Sequence, residues 1–217
     1  MSNVQINGFR YAFSLLAGGG DTPPTLVRPV ANNYGTQLSV GDCIIPASDG
    51  TVQIAATNSA QLLGVVVGCS IWSSGRRQLQ NWVPANTTFT PTTVGSRQES
   101  LVEYIPFLPG LVFEVDGAAA TVTTIANQVS LIGENCALSL GAGGDTTIGV
   151  STQSLDISTH GTSLNQFMII GIRGYTLETP LADAVVDMDV TASRFKYQVI
   201  CNQAFFPPYT AAGTIGI

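Results

Sequence analysis

Charge is what this chain has least of. Charged residues fill 10% of its 217 positions, against roughly a quarter in an ordinary globular domain. A folded chain of 22.7 kDa exposes on the order of 9,500 Å². Its 8 basic and 14 acidic side chains therefore leave one charge per ~430 Å², and Ser, Thr, Asn, Gln and Gly must cover the rest. Free soluble domains spread both signs over their surface, whereas the centres of protein interfaces are depleted of charge. The deficit favours a surface partly covered in an assembly. Basic residues are scarcer still, with one lysine, Lys196, a net charge of −6 and one adjacent pair, Arg76-Arg77. Phosphate backbones are bound by clustered Lys and Arg, so no nucleic-acid partner is expected. An acidic patch on another protein is the better target for the arginine pair.

The chemistry-bearing residue types are equally thin. His160 is the only histidine, and the Asp156 and Ser158 beside it lack the spacing of any nucleophile elbow. They read as turn chemistry. The carboxylate pairs Glu99/Glu103 and Asp187/Asp189 could serve a glycosidase; on a strand Asp187 and Asp189 would share one face, as a calcium site or, the favoured reading, a solvated sheet face. Cys43, Cys69, Cys136 and Cys201 are widely spaced with no Cys-x-x-Cys pair, which argues for buried reduced thiols and against zinc. The glycine runs at 18–20 and 141–144 lack the Gly-Lys-Ser/Thr that a phosphate loop requires. No apolar run reaches membrane-spanning length. The first residues show neither a basic nor an apolar leader region, so synthesis in a cytoplasm is expected. The expectation is a non-enzyme with no catalytic, cofactor-binding or metal residues.

What the chain does have is strands. Cys43-Ile44-Ile45-Pro46 and Val52-Gln53-Ile54-Ala55 flank an Asp49-Gly50 turn, and Leu62 to Val67 follows as a run apolar on both faces, which reads as a hairpin feeding a core strand. Leu101 to Pro106, Leu111 to Val115, Leu155 to Ile157, Phe167 to Ile172, Val185 to Val190 and Tyr197 to Asn202 continue the pattern. Residues 123–138 hold the one plausible helical turn, ended by Gly133. The predicted fold is all-β, a single small β-barrel or β-sandwich with at most one short helix. Its body runs over 37–202 with a projecting loop near 69–100. Residues 1–36, broken by Gly18-Gly19-Gly20 and Pro23-Pro24, are expected to be an extended arm, and 203–217 a tail. Phe9, Arg10 and Tyr11 in the arm, Trp72, Arg76, Arg77 and Trp82 around the loop, and Phe205, Phe206 and Tyr209 in the tail are the candidate interface residues. For the two tryptophans the alternative is that each plugs its own barrel end.

The order of these phrases resembles a known family. It runs from Asn7-Gly8-Phe9-Arg10 through Val40-Gly41-Asp42-Cys43, the Leu63 to Gly68 strand and Leu111 to Val115. Thr147 to Ile157, Tyr197 to Asn202 and a Thr214-Ile215-Gly216-Ile217 end complete it. In that order the chain is similar to the capsid decoration, or cement, proteins of tailed bacteriophages. The resemblance implies a β-barrel or β-tulip body that binds the outside of a shell of major capsid protein, grouped with itself as a trimer or dimer, and no catalytic residues. It places the chain in the virion, made in a bacterial host's cytoplasm, where it stabilises the head by bridging capsomers. The alternatives are another virion part (tail, head-fibre or portal-vertex), or a β-barrel carbohydrate-binding module or hydrolase.

Overall fold

Alternation of apolar and polar residues at period two builds nearly everything seen in this protein. The structure, a computed structural model, describes residues 8–16, 22–73, 75–88, 98–118, 129–141, 148–173 and 196–205. In chain order the strands are β1 (Arg10–Ser14), β2 (Leu26–Pro29), β3 (Leu38–Ser39), β4 (Cys43–Pro46), β5 (Val52–Ile54), β6 (Gly64–Ser73) and β7 (Arg76–Gln80). They continue as β8 (Trp82–Val83), β9 (Leu101–Pro106), β10 (Leu111–Ala118), β11 (Asn135–Ser139), β12 (Ser154–Gly161), β13 (Phe167–Ile172) and β14 (Lys196–Cys201). No complete helix lies among the described residues. Of the expected helical turn, Val129 is helical, residues 130–133 form a turn ended by Gly133 at a φ of +94°, and Asn135–Ser139 are strand, while residues 123–128 lie outside the described residues.

Strands β10, β12, β11, β13 and β14 pair in that order, and β14 returns to β10, closing a five-strand barrel. All neighbours are antiparallel except β10 and β12, whose parallel pairing sets Gly117 opposite Leu155. Only glycine fits there, because a Cβ at Gly117 would sit 2.5 Å from the Tyr197 ring. Phe113, Val115, Leu138, Leu155, Ile157, Phe167, Ile169, Tyr197 and Val199 fill the interior. Phe107 meets Phe113 edge to face at 4.9 Å, and Phe9 packs on Phe167 at 4.8 Å.

A second sheet, ordered β2-β9-β6-β4-β5 with β7 also on β6, lies against the barrel. Its central strands are covered on both faces. Cys43, Leu62, Val65 and Ile105 join the barrel core, while Ile44, Leu63, Val66 and Tyr104 join a second core with Val30, Leu38, Val52, Val83 and Val102. Consecutive residues point to opposite faces, so a strand between two cores must be apolar at every position. That accounts for the Leu62 to Val66 run. Val67 departs from it: the pairing with β9 skips from Val66 to Gly68, and Val67, in the bulge, is exposed. The short β3–β8 ribbon contributes Leu38 and Val83 to the second core.

The expected N-terminal arm is not an arm over its described residues. β1 pairs antiparallel with β10, β2 pairs antiparallel with β9, and Phe9 is 1% exposed. Breakers between β1 and β2 separate two strands of the subunit's own sheets; they do not free the segment. The start of the expected tail is likewise tied in, since Phe205 N–H donates to the Leu62 carbonyl and Leu62 N–H to the Gln203 carbonyl. The projecting loop near 69–100 is, where described, the β6–β7 hairpin and β8. Val185 to Val190, Phe206 and Tyr209 lie outside the described residues.

Candidate functional site

The residues weighed for catalysis stand in separate surroundings. His160 Nδ1 meets Glu134 Oε2 on the surface, and Ser158 Oγ donates to Asp156 Oδ1, so the serine faces a carboxylate and not the imidazole. Asp156, Ser158 and His160 lie within β12, where the pairing with β11 skips from Asp156 to Gly161, and not in the turn expected for them. Among the described residues no three His, Cys, Asp or Glu side chains converge on a point. All four cysteines are free thiols. Burial pushes Cys69, Cys136 and Cys201 up to about 12 and Cys43 well above the usual thiol range. These groups stay protonated at neutral pH and are poor nucleophiles.

The expected interface residues do not form one surface. Phe9 belongs to the barrel core, and Tyr11 lies half-buried, edge to face on Phe113. Arg10 is exposed opposite Glu114 in the β1–β10 pair. Phe205 packs on the second core. The burial of Phe9, Tyr11 and Phe205 has one cause: the segments that carry them are bonded to the subunit's own strands. Trp82, half-buried in β8, lies on Gly149, whose φ of +69° and bare Cα leave the ring its place; a Cβ there would fall 2.1 Å from it. Trp82 therefore closes its own subunit.

Trp72, Arg76 and Arg77 are different. The β6–β7 register sets Trp72 opposite Arg77 and Ser70 opposite Leu79, and the β6–β9 register sets Ser70 opposite Leu101 and Gly68 opposite Glu103. Val27 opposes Glu103 from β2. Trp72, Arg77, Ser70, Leu79, Leu101, Gly68, Glu103 and Val27 thus share one face, the continuation of the face that packs Val65 and Ile105 on the barrel. Beyond the barrel it is open. Arg77 Nη1 donates to Ser70 Oγ at 2.9 Å, holding the guanidinium along the sheet. A groove of about 470 Å³ runs here, with Val27, Leu79 and Leu101 as apolar walls, Gly68 and Ser70 between them, and Glu103, Gln80 and Asn81 as polar rims. Leu79 is 88% exposed and Val27 56%, with Leu26 and Val67 also exposed nearby in the same sheet.

Sequence reasoning found Trp72 and the arginine pair, missed Leu79 and Val27, and weighed Glu103 only as half of a carboxylate pair and not as part of this face. The signal was available in Arg76-Arg77-Gln78-Leu79-Gln80, where the alternation places one leucine among polar residues on the face of Arg77. No protein-family model, curated protein or solved structure matches this chain.

Proposed function

We propose that the chain is a non-enzymatic capsid decoration protein of a tailed-phage particle, binding the outer face of the major capsid protein shell and bridging neighbouring capsomers. The open face of the second sheet carries this reading: Val27 and Leu79 stand exposed beside Trp72 and Arg77 on a chain with few charges to keep such a face free. An expected docking mechanism based on an N-terminal arm gives way to docking by this face, because β1 and β2 are already used within the subunit. Covering ~500 Å² of apolar surface there is worth about 12 kcal/mol gross at ~25 cal/mol per Å². The loss of rotational and translational freedom takes back much of it. Repeated over a lattice, a small remainder per site resists outward pressure on the shell.

Counting copies in purified particles tests the proposal. Decoration requires hundreds of copies per particle; a handful would assign the chain to a tail, fibre or portal vertex, and none would overturn the virion reading. Val27→Asp with Leu79→Asp should strip the protein from particles while leaving its melting temperature near that of the parent, since both side chains already face water.

A further inference from the structure

Among the residues that line the open groove of the second sheet, Glu103 alone is charged. It is exposed on β9, and its neighbours on the two flanking strands are Val27 of β2 and Gly68 of β6. A carboxylate on a sheet face gains from a base on the next strand, yet here one side is aliphatic and the other bare backbone. No hydrogen bond or ion pair ties Glu103 among the described residues, and Arg77, on the same face, is drawn to the Ser70 hydroxyl instead. The other polar walls have the same character. Gln80 Nε2 donates to the Trp82 carbonyl and Asn81 Nδ2 to the Ile148 carbonyl, leaving both side-chain oxygens as acceptors. Gly68 is the second sign of a visitor. Gly64, Gly117 and Gly171 are held to glycine by crowding, since a Cβ on any of them would come within 3 Å of a neighbour, whereas at Gly68 it would meet nothing nearer than Glu103 Oε2 at 3.5 Å. Its φ is not left-handed either. A strand glycine that its own subunit does not require marks a place where something else approaches closely.

We propose that this groove receives a basic side chain, lysine or arginine, from the partner protein, with its stem between Val27, Leu79 and Leu101 and its cation on Glu103. Long basic side chains join an aliphatic stem to a charged head, which matches a channel with apolar walls and one anionic point. The direction of entry is set as well. Arg77 stands opposite Trp72 and Glu103 opposite Gly68, so the two charges lie four residues apart along β6, or roughly 13 Å at strand spacing. A second cation is repelled at the arginine end and attracted at the glutamate end, and the head therefore settles at β9. The net charge of −6 draws a basic surface in from a distance. This inference rests on the capsid reading only for the source of the side chain, which on that reading is the shell protein.

The groove is tested first without particles. In the full chain with labelled Leu and Val methyl groups, Nα-acetyl-arginine amide or Nα-acetyl-lysine amide at millimolar concentration should shift the Val27, Leu79 and Leu101 signals saturably. Nα-acetyl-norleucine amide, a stem without the cation, should bind at least about tenfold more weakly. Glu103→Gln, a change at an exposed side chain that keeps its shape, should weaken the cationic probes by a similar factor with the melting temperature unmoved. Gly68→Val fills the floor and keeps the charge, and should weaken them too. The absence of a saturable shift overturns the proposal, as does equal binding of the norleucine probe or binding that Glu103→Gln leaves unchanged. On particles, Glu103→Gln should raise the dissociation constant at least about tenfold. A parent that takes the cationic probes but is missing from particles sinks the capsid reading and leaves the groove its ligand; a parent and a Glu103→Gln variant that decorate equally well sink this inference and leave the capsid reading standing.

Discussion

Asp42 is the residue whose surroundings ask most of it. It sits 2% exposed where β3 turns into β4, accepting a hydrogen bond from Ser39 N–H at 2.7 Å and one from the Ser151 hydroxyl. Burial outweighs these bonds and pushes its carboxyl up to about 6 from 3.8. The folded state therefore holds the proton more tightly than the unfolded state. This contribution to stability is fully present below 3.8, is lost as pH rises toward 6, and is flat above. At about 1.4 kcal/mol per unit the loss is ~3 kcal/mol. Denaturant melts at steps from pH 4 to 7 should show it as a decline in the parent relative to Asp42→Asn, where the amide keeps an acceptor for Ser39 N–H and does not titrate. Parallel pH profiles for the two proteins would refute the assignment. Val66, 0% exposed between β4 and β9, gives the complementary case. Val66→Asp buries an unpaired carboxylate and should cost more than about 4 kcal/mol, read as loss of a cooperative melt.

At the level of elements, β1 decides between an arm and a strand. Phe9→Ala should lower stability by about 3–5 kcal/mol, because its ring fills space against Phe167 inside the barrel; a free arm would show no change in a denaturant titration. The amides of Phe9 and Leu15, bonded to the Gly41 and Gly110 carbonyls, should resist hydrogen exchange in dilute monomer. By contrast, His160→Ala removes a surface pair with Glu134 and should change stability by less than about 1 kcal/mol without abolishing any hydrolytic activity. The difference between β1 and β5 also shows what could be read from the sequence. The Asp49-Gly50 turn is local: Gly50 takes a φ of +84° and Asp49 Oδ1 accepts from Thr51 N–H, so β4, β5 and the Leu62 to Val66 run were legible. Nothing near Arg10–Ser14 announces a partner as distant as Leu111–Glu114, and glycine and proline breakers following a strand look the same as those that free an arm.

For the molecule as a whole, an all-β fold, barrel or sandwich, was legible from the spacing of apolar runs, while the closure of the barrel and the way its two cores share one sheet were not. Val65 and Val66 face different cores, and a sequence states only that both are apolar. The open face was half legible for the same reason: Arg76-Arg77 and Trp72 stand out as residue types, whereas Leu79 acquires its meaning from being left uncovered.

The closure of the barrel also orders events in time. Chains emerge from the ribosome N-terminus first, so Phe9 and β1 are made before β10, which β1 pairs with, and long before β13, whose Phe167 the Phe9 ring rests on. The ring of strands cannot shut until β14 has emerged and met both β13 and β10. A nascent chain must therefore carry β1 unsatisfied until β10 and β13 have been made, and a segment made before its partners is among the last to reach its native place.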